Sequence, residues 1–107
     1  RKAGADLLVN MAAWPKSRKT HWDTLTRARA IENQTFMVAL TQTGLLADGV
    51  ENLGHSLIYD YEGKILDEIE EIEGGVYAEI DLKEMYDFRA NCPSINDIKD
   101  SYEVIKK

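Results

Sequence analysis

Apolar residues gather in short runs along the chain, and the polar spacing between them sets the predicted elements. Leu7 to Met11 is nearly continuous apolar sequence, as in a strand covered on both faces. Trp14-Pro15 ends it, because Pro15 cannot donate to a ladder and biases Trp14 toward an extended backbone. From His21 to Asn33 the apolar positions Trp22, Leu25, Ala28 and Ile31 recur every three residues, which predicts a helix with one buried stripe. Thr20 followed by Asp23 has the form of a capping box at its start, with Asp in place of Glu. Phe36 to Thr41 is the next apolar run, so strand, helix and strand follow one another as in a βαβ unit.

Downstream the pattern changes. Residues 43 to 54 carry three glycines among polar residues and read as a loop. Ser56–Tyr59 and Lys64–Ile69 flank Asp60-Tyr61-Glu62-Gly63, a hairpin with Gly63 where positive φ is needed. The spacing of Ile65, Leu66, Ile69 and Ile72 fits helix and strand alike. The turn before them and Gly74-Gly75 after them favour a strand fading into an acidic loop. Val76 to Ile80 alternates and predicts a strand. Asp81 is placed to cap a short helix over Leu82 to Arg89, and an irregular tail follows from Asn91. At the other end, Arg1 to Asp6 reads as the last turn of a helix with Gly4 near its cap. That reading predicts a chain that continues a longer protein.

The 107 residues allow one domain, of mixed α and β layers. A 44% apolar and 30% charged composition is that of a globular protein. No apolar run approaches the roughly 20 residues a membrane helix requires. The formal charge is −6 and the basic residues are scattered, which disfavours a nucleic-acid partner. A single cysteine excludes an internal disulfide framework and suits a reducing cytoplasm.

Few residues invite chemistry on their own pattern. Cys92 beside Pro93 follows no strand-to-helix elbow and has no base near it in sequence, so it is not expected to be a nucleophile. Glu32 and Arg29, late on the helix, read as scaffold in which the carboxylate needs a partner when buried. His21 and His55 lie far apart without a third ligand at metal spacing, so no metal site is expected. Ala13, Trp14 and Gln42 are the candidates for binding, because they follow the carboxyl ends of two strands, where ligands collect in α/β sheets. For Trp14, a plug in the core competes with this reading.

The order GADLLVN, WP, HW, RARAIENQ, an apolar strand, then GHS and a hairpin resembles the C-terminal half of the carbon-nitrogen hydrolase (nitrilase) superfamily. The likeness runs from about Ala3 to Tyr102 and is strongest to the amidase branch that includes the omega-amidases. The resemblance implies an αββα sandwich, of which residues 1–107 form the C-terminal portion. It implies hydrolysis of a small-molecule amide through a cysteine thioester, without a cofactor, in a homodimer or larger homo-oligomer. It also implies that the catalytic glutamate, lysine and cysteine lie upstream of Arg1, so none of the residues here is expected to be catalytic. The loop at Ala13-Trp14 would border the pocket. Relatives often read Asn-Trp-Pro and Asn-Arg where this chain has Ala13-Trp14-Pro15 and Thr41-Gln42, which leaves the amide open. The alternative is a non-catalytic, nitrilase-like assembly module.

Overall fold

The structure is a computed structural model and describes residues 1–106. Its centre is a four-stranded sheet in the order β1 (Leu7–Ala12), β2 (Phe36–Thr41), β3 (Ser56–Tyr59), β4 (Ile65–Ile69). β1 and β2 are parallel, in register from Leu7 with Phe36 to Ala12 with Thr41. The helix α1 (Lys19–Asn33) connects them, so the expected βαβ unit is present. β3 and β4 form the expected hairpin. Asp60 Oδ1 accepts from the N–H groups of Glu62 and Lys64, each at 2.9 Å, and Gly63 has φ +80. An alanine Cβ at Gly63 would also stand 2.7 Å from the half-exposed Ile31 side chain, and the positive φ is the stronger reason for glycine.

α1 begins earlier than its pattern predicts. A 3₁₀ turn, Lys16–Arg18, feeds straight into Lys19, and Arg18 makes no side-chain cap. Thr20 therefore lies inside the first turn and forms no capping box. Asp23 is drawn elsewhere, to Lys19 at 2.5 Å and to His55 at 2.6 Å.

The buried face of α1 also differs. Trp22, Thr26 and Ala30 are buried, whereas Leu25 and Ile31 are about half exposed. The reason is geometric. At 3.6 residues per turn a three-residue step falls about 60° short of a full turn, so Ile31 sits about 180° around the axis from Trp22. A four-residue step drifts by only about 40°, which keeps Trp22, Thr26 and Ala30 on one face. Thr26 is satisfied there, donating to the Trp22 carbonyl at 2.7 Å and bonding the Tyr59 hydroxyl at 3.0 Å.

The core lies between α1 and one face of the sheet: Trp22, Ala30, Met37, Ala39, Leu53, Leu57 and Tyr59, with Leu8, Ala12, Trp14 and Ile65 packed against it. The opposite face is covered only in part. α2 (Leu82–Asn91) reaches it through Phe88, Tyr61 and Phe36, whose successive ring centroids are 5.0 and 5.6 Å apart. Leu7, Val9 and Met11 stay open, Met11 at 75% exposure. Among the described residues β1 is thus the edge strand of the sheet and is covered on one face only.

Three further expectations meet the structure. Asp81 caps α2, accepting from Lys83 and Glu84 N–H groups, as its position predicts. Residues 76–80 form no strand: alternation suffices only where a neighbouring edge offers a ladder, and Tyr77 N–H is taken instead by the Asp67 carboxylate at 2.8 Å. Arg1 to Asp6 is a turn, not a helix end, closed by Gly4 N–H on the Arg1 carbonyl with Gly4 at φ +100. No helix among the described residues is long and apolar enough to cross a membrane.

Candidate functional site

The carboxyl ends of β1 and β2 open onto two adjoining cavities. One, of 390 Å³, is lined by Met11, Ala12, Ala13, Leu40, Thr41 and Gln42. The other, of 370 Å³, shares Thr41 and Gln42 and is closed by Gly54, Ser56 and the segment Ile69 to Gly74. Backbone bonds fix this corner. Gln42 N–H donates to the Ala12 carbonyl at 3.3 Å, and Gly54 N–H donates to the Gln42 carbonyl at 2.9 Å. Leu53 N–H reaches the Trp14 carbonyl at 2.8 Å, and Lys16 N–H reaches Glu51 at 2.9 Å. The Ser56 hydroxyl accepts from Thr41 N–H at 3.1 Å. The Gln42 side chain is left exposed at the junction of the two cavities.

Of the residues singled out from sequence, Ala13 and Gln42 meet in one cavity wall. Trp14 does not join them there. Its ring turns to the helix side, 5.4 Å from the Trp22 ring, and its indole N–H donates to the Arg18 carbonyl at 2.8 Å. It lines a separate hollow of 240 Å³ with Asn10, His21, Leu25 and Arg29. Arg29 and Glu32 pair at 2.6 Å, as their spacing suggests, but on the surface, where the pair answers no burial cost. Asn33 closes the helix end by donating to the Arg29 carbonyl at 2.9 Å. Cys92 is exposed just past α2, and its carbonyl accepts from the Gln34 amide at 2.8 Å.

His55 has a larger part than a turn residue. It is 4% exposed, with Nδ1 at 2.6 Å from Asp23 and Nε2 at 2.7 Å from Glu68 and 3.2 Å from Glu70. Its carbonyl accepts from the Trp22 indole at 2.8 Å. His55, Glu68 and Glu70 bring one nitrogen and two carboxylate oxygens within 4.8 Å of one another. Lys19 already occupies this cluster: its ammonium lies 3.1 Å from His55 Nδ1, 2.5 Å from Asp23 and 3.8 Å from Glu70. The cluster is a partly exposed polar network around buried His55 that ties α1 to β4. Its sequence signal was indirect: a histidine leading into a buried strand needs partners, and Glu68 and Glu70 stand at alternate positions on the neighbouring strand and just past its end.

The sequence model of the carbon-nitrogen hydrolase family matches residues 1–90. The chain belongs to the carbon-nitrogen hydrolase family. It is 48% identical over 100 residues to a 2-oxoglutaramate amidase of Bacillus subtilis, covering 92% of this chain and 38% of the relative. It is 42% identical over 94 residues to a 2-oxoglutaramate amidase of Paenarthrobacter nicotinovorans, covering 88% and 32%. Among solved structures, a CN-hydrolase superfamily protein of Xanthomonas campestris, carrying an arsenic adduct in its active site, superposes with a TM-score of 0.82 at 35% identity, over 92% of this chain and 37% of that one. This carbon-nitrogen hydrolase chain thus spans less than two-fifths of the length of these relatives.

Proposed function

We propose that this chain is the C-terminal part of an amidase that hydrolyses a small linear amide of the 2-oxoglutaramate kind, and that it supplies a wall of the substrate pocket. The observation that carries the reading is the cavity at the carboxyl ends of two parallel strands, where Ala13 and Gln42 converge, in a chain so similar to 2-oxoglutaramate amidases. In the reaction, a cysteine thiolate attacks the amide carbon, the tetrahedral oxyanion collapses with loss of ammonia, and water hydrolyses the thioester to the acid. The nucleophile, the glutamate that moves protons and the lysine that holds the oxyanion would come from the part preceding Arg1. No cofactor is required.

Gln42, with an amide donor and acceptor at the junction of the cavities, is suited to a polar end of the substrate. Ala13 leaves room beside it. Trp14 acts from behind, fixing the loop that carries Ala13 through its bond to Arg18 and its packing on Trp22. The working unit is a homodimer in this reading, with the outer face of α1 at the two-fold contact.

Ala13 tests the placement. It is exposed, so a larger side chain there projects into the cavity without disturbing the core. The full-length protein should release ammonia from 2-oxoglutaramate, and Ala13→Trp should cut kcat/KM by about a hundredfold at an unchanged unfolding midpoint. Wild-type activity in Ala13→Trp would remove this cavity from the pocket. A full-length wild type inert toward small linear amides would overturn the amidase reading.

A further inference from the structure

One wall of the second cavity is not built from the sheet. β4 ends at Ile69, yet Ile72, Glu73 and Gly74 beyond it face Thr41, Gln42 and Gly54 across the opening. Ile72 is 64% exposed, so apolar burial does not hold this rim in place.

Its backbone is also in an unfavourable shape. Glu71 has φ +60, the left-handed region that a side chain other than glycine seldom adopts, and which persists only where the surroundings impose it. Two contacts impose it here. Glu71 N–H donates to the Gly54 carbonyl at 3.2 Å, and its carboxylate accepts from the Lys16 ammonium at 2.6 Å. Gly54 lets the rim come this close, since a Cβ there would lie 3.2 Å from Glu71 backbone atoms and 2.8 Å from Thr43. Lys16 is anchored in turn, by its own N–H on the Glu51 carbonyl and its ammonium 3.3 Å from the Glu51 carboxylate. One turn further on, Lys19 and His55 approach Glu70 at 3.8 and 3.2 Å.

We infer that Lys16 and Glu71 are positioning residues: their ion pair clamps the rim at residues 70–74 onto the loop after β1 and so sets the width of the amide pocket's mouth. The inference rests on the pocket assignment proposed above. An isolated exposed ion pair contributes little. This one acts on a strained backbone with few other contacts, so its loss lets the segment relax away from Gly54. Neither side chain touches a reacting atom, so the effect falls on substrate affinity and not on the chemical step. The lysine has been pulled above its ordinary range by Glu71 and Glu51, and Glu71 below its own by Lys16, in keeping with a pair that is formed. Because both partners are exposed to solvent, salt screens the clamp.

The test uses the full-length protein as wild type, Lys16→Met, Glu71→Gln, the double variant and Lys16→Arg. Two quantities are read: amide hydrogen exchange over residues 70–75, and kcat and KM for 2-oxoglutaramate. Each single variant should speed exchange of that segment about tenfold, as expected for local opening. Each should raise KM roughly three- to tenfold with kcat within about twofold. The double variant should match the single ones, because partners in one interaction are not additive. Lys16→Arg should stay close to wild type, and about 0.5 M NaCl should move wild type toward the single variants. Unchanged exchange in the single variants, or additive effects in the double, overturns the clamp. Faster exchange with an unchanged KM overturns its link to affinity. If the wild type hydrolyses no amide, the pocket assignment fails, and the exchange data still decide whether the clamp exists.

Discussion

The two tryptophans allow one chemical change to be compared at two sites. Trp22→Phe and Trp14→Phe each remove an indole N–H and part of a ring. At Trp22, 1% exposed, the N–H donates to the carbonyl of His55, itself buried. Removing it leaves that carbonyl unpaired in the interior, at about 1–3 kcal/mol. The missing ring atoms add roughly 1 kcal/mol in lost burial and residual void. The total for Trp22→Phe is about 2–4 kcal/mol. At Trp14 the acceptor is the Arg18 carbonyl in an exposed turn, where water takes over the bond, and the half-buried ring keeps most of its packing. Trp14→Phe should cost under about 1 kcal/mol. Urea unfolding of the full-length variants reads the difference as a shift in midpoint at constant slope. Equal losses at the two sites, or a loss below about 0.5 kcal/mol for Trp22→Phe, would refute the buried bond as the device that joins α1 to the loop before β3.

Other consequences follow from the same geometry. Cys92→Ala should leave amide hydrolysis within a few-fold of wild type, since its hydrogen bonds are made by its backbone N–H and carbonyl; a loss of about a thousandfold would make it the nucleophile after all. Asp6 is held below its ordinary 3.8, first by the Tyr86 hydroxyl and then by Arg89, so it stabilises the docking of α2 above that value and ceases to do so as pH falls through its lowered pKa. Asp6→Asn should therefore flatten the acid limb of a stability–pH profile measured by thermal unfolding, and an unaltered limb would refute the linkage. Arg27, exposed on α1 with its guanidinium 5.8 Å over the Tyr59 ring, is proposed to reach the two-fold contact; Arg27→Glu should shift sedimentation at low micromolar concentration toward monomer, and an unchanged dimer in the variant, or a monomeric wild type, would exclude that face.

The parts of the fold that were legible in the sequence are those set by neighbours in the chain. Pro15 stops β1, Asp60 and Gly63 shape the hairpin turn, Asp81 caps α2, and two apolar runs around a helical segment make a parallel pair. What was not legible depends on partners far away. The buried face of α1 departs from the three-residue stripe because that recurrence winds round the helix, so that Thr26, a polar residue, is inside and Ile31 is half outside. Residues 76–80 alternate like a strand but pair with none of the four strands. The His55 network joins Asp23, Glu68 and Glu70 from separate elements, which no local spacing reports. At the candidate site, Ala13 and Gln42 followed from their place after parallel strands. The direction of the Trp14 ring did not, because it is fixed by Trp22 and Arg18.

The central claim is that the corner after β1 and β2 binds the amide. The measurement that reaches it most directly is steady-state ammonia release from 2-oxoglutaramate by the full-length protein and its Gln42→Ala variant. The Gln42 side chain is exposed, so the variant should keep the wild-type unfolding midpoint while kcat/KM falls by about tenfold or more. A Gln42→Ala enzyme with wild-type kcat/KM would contradict the claim.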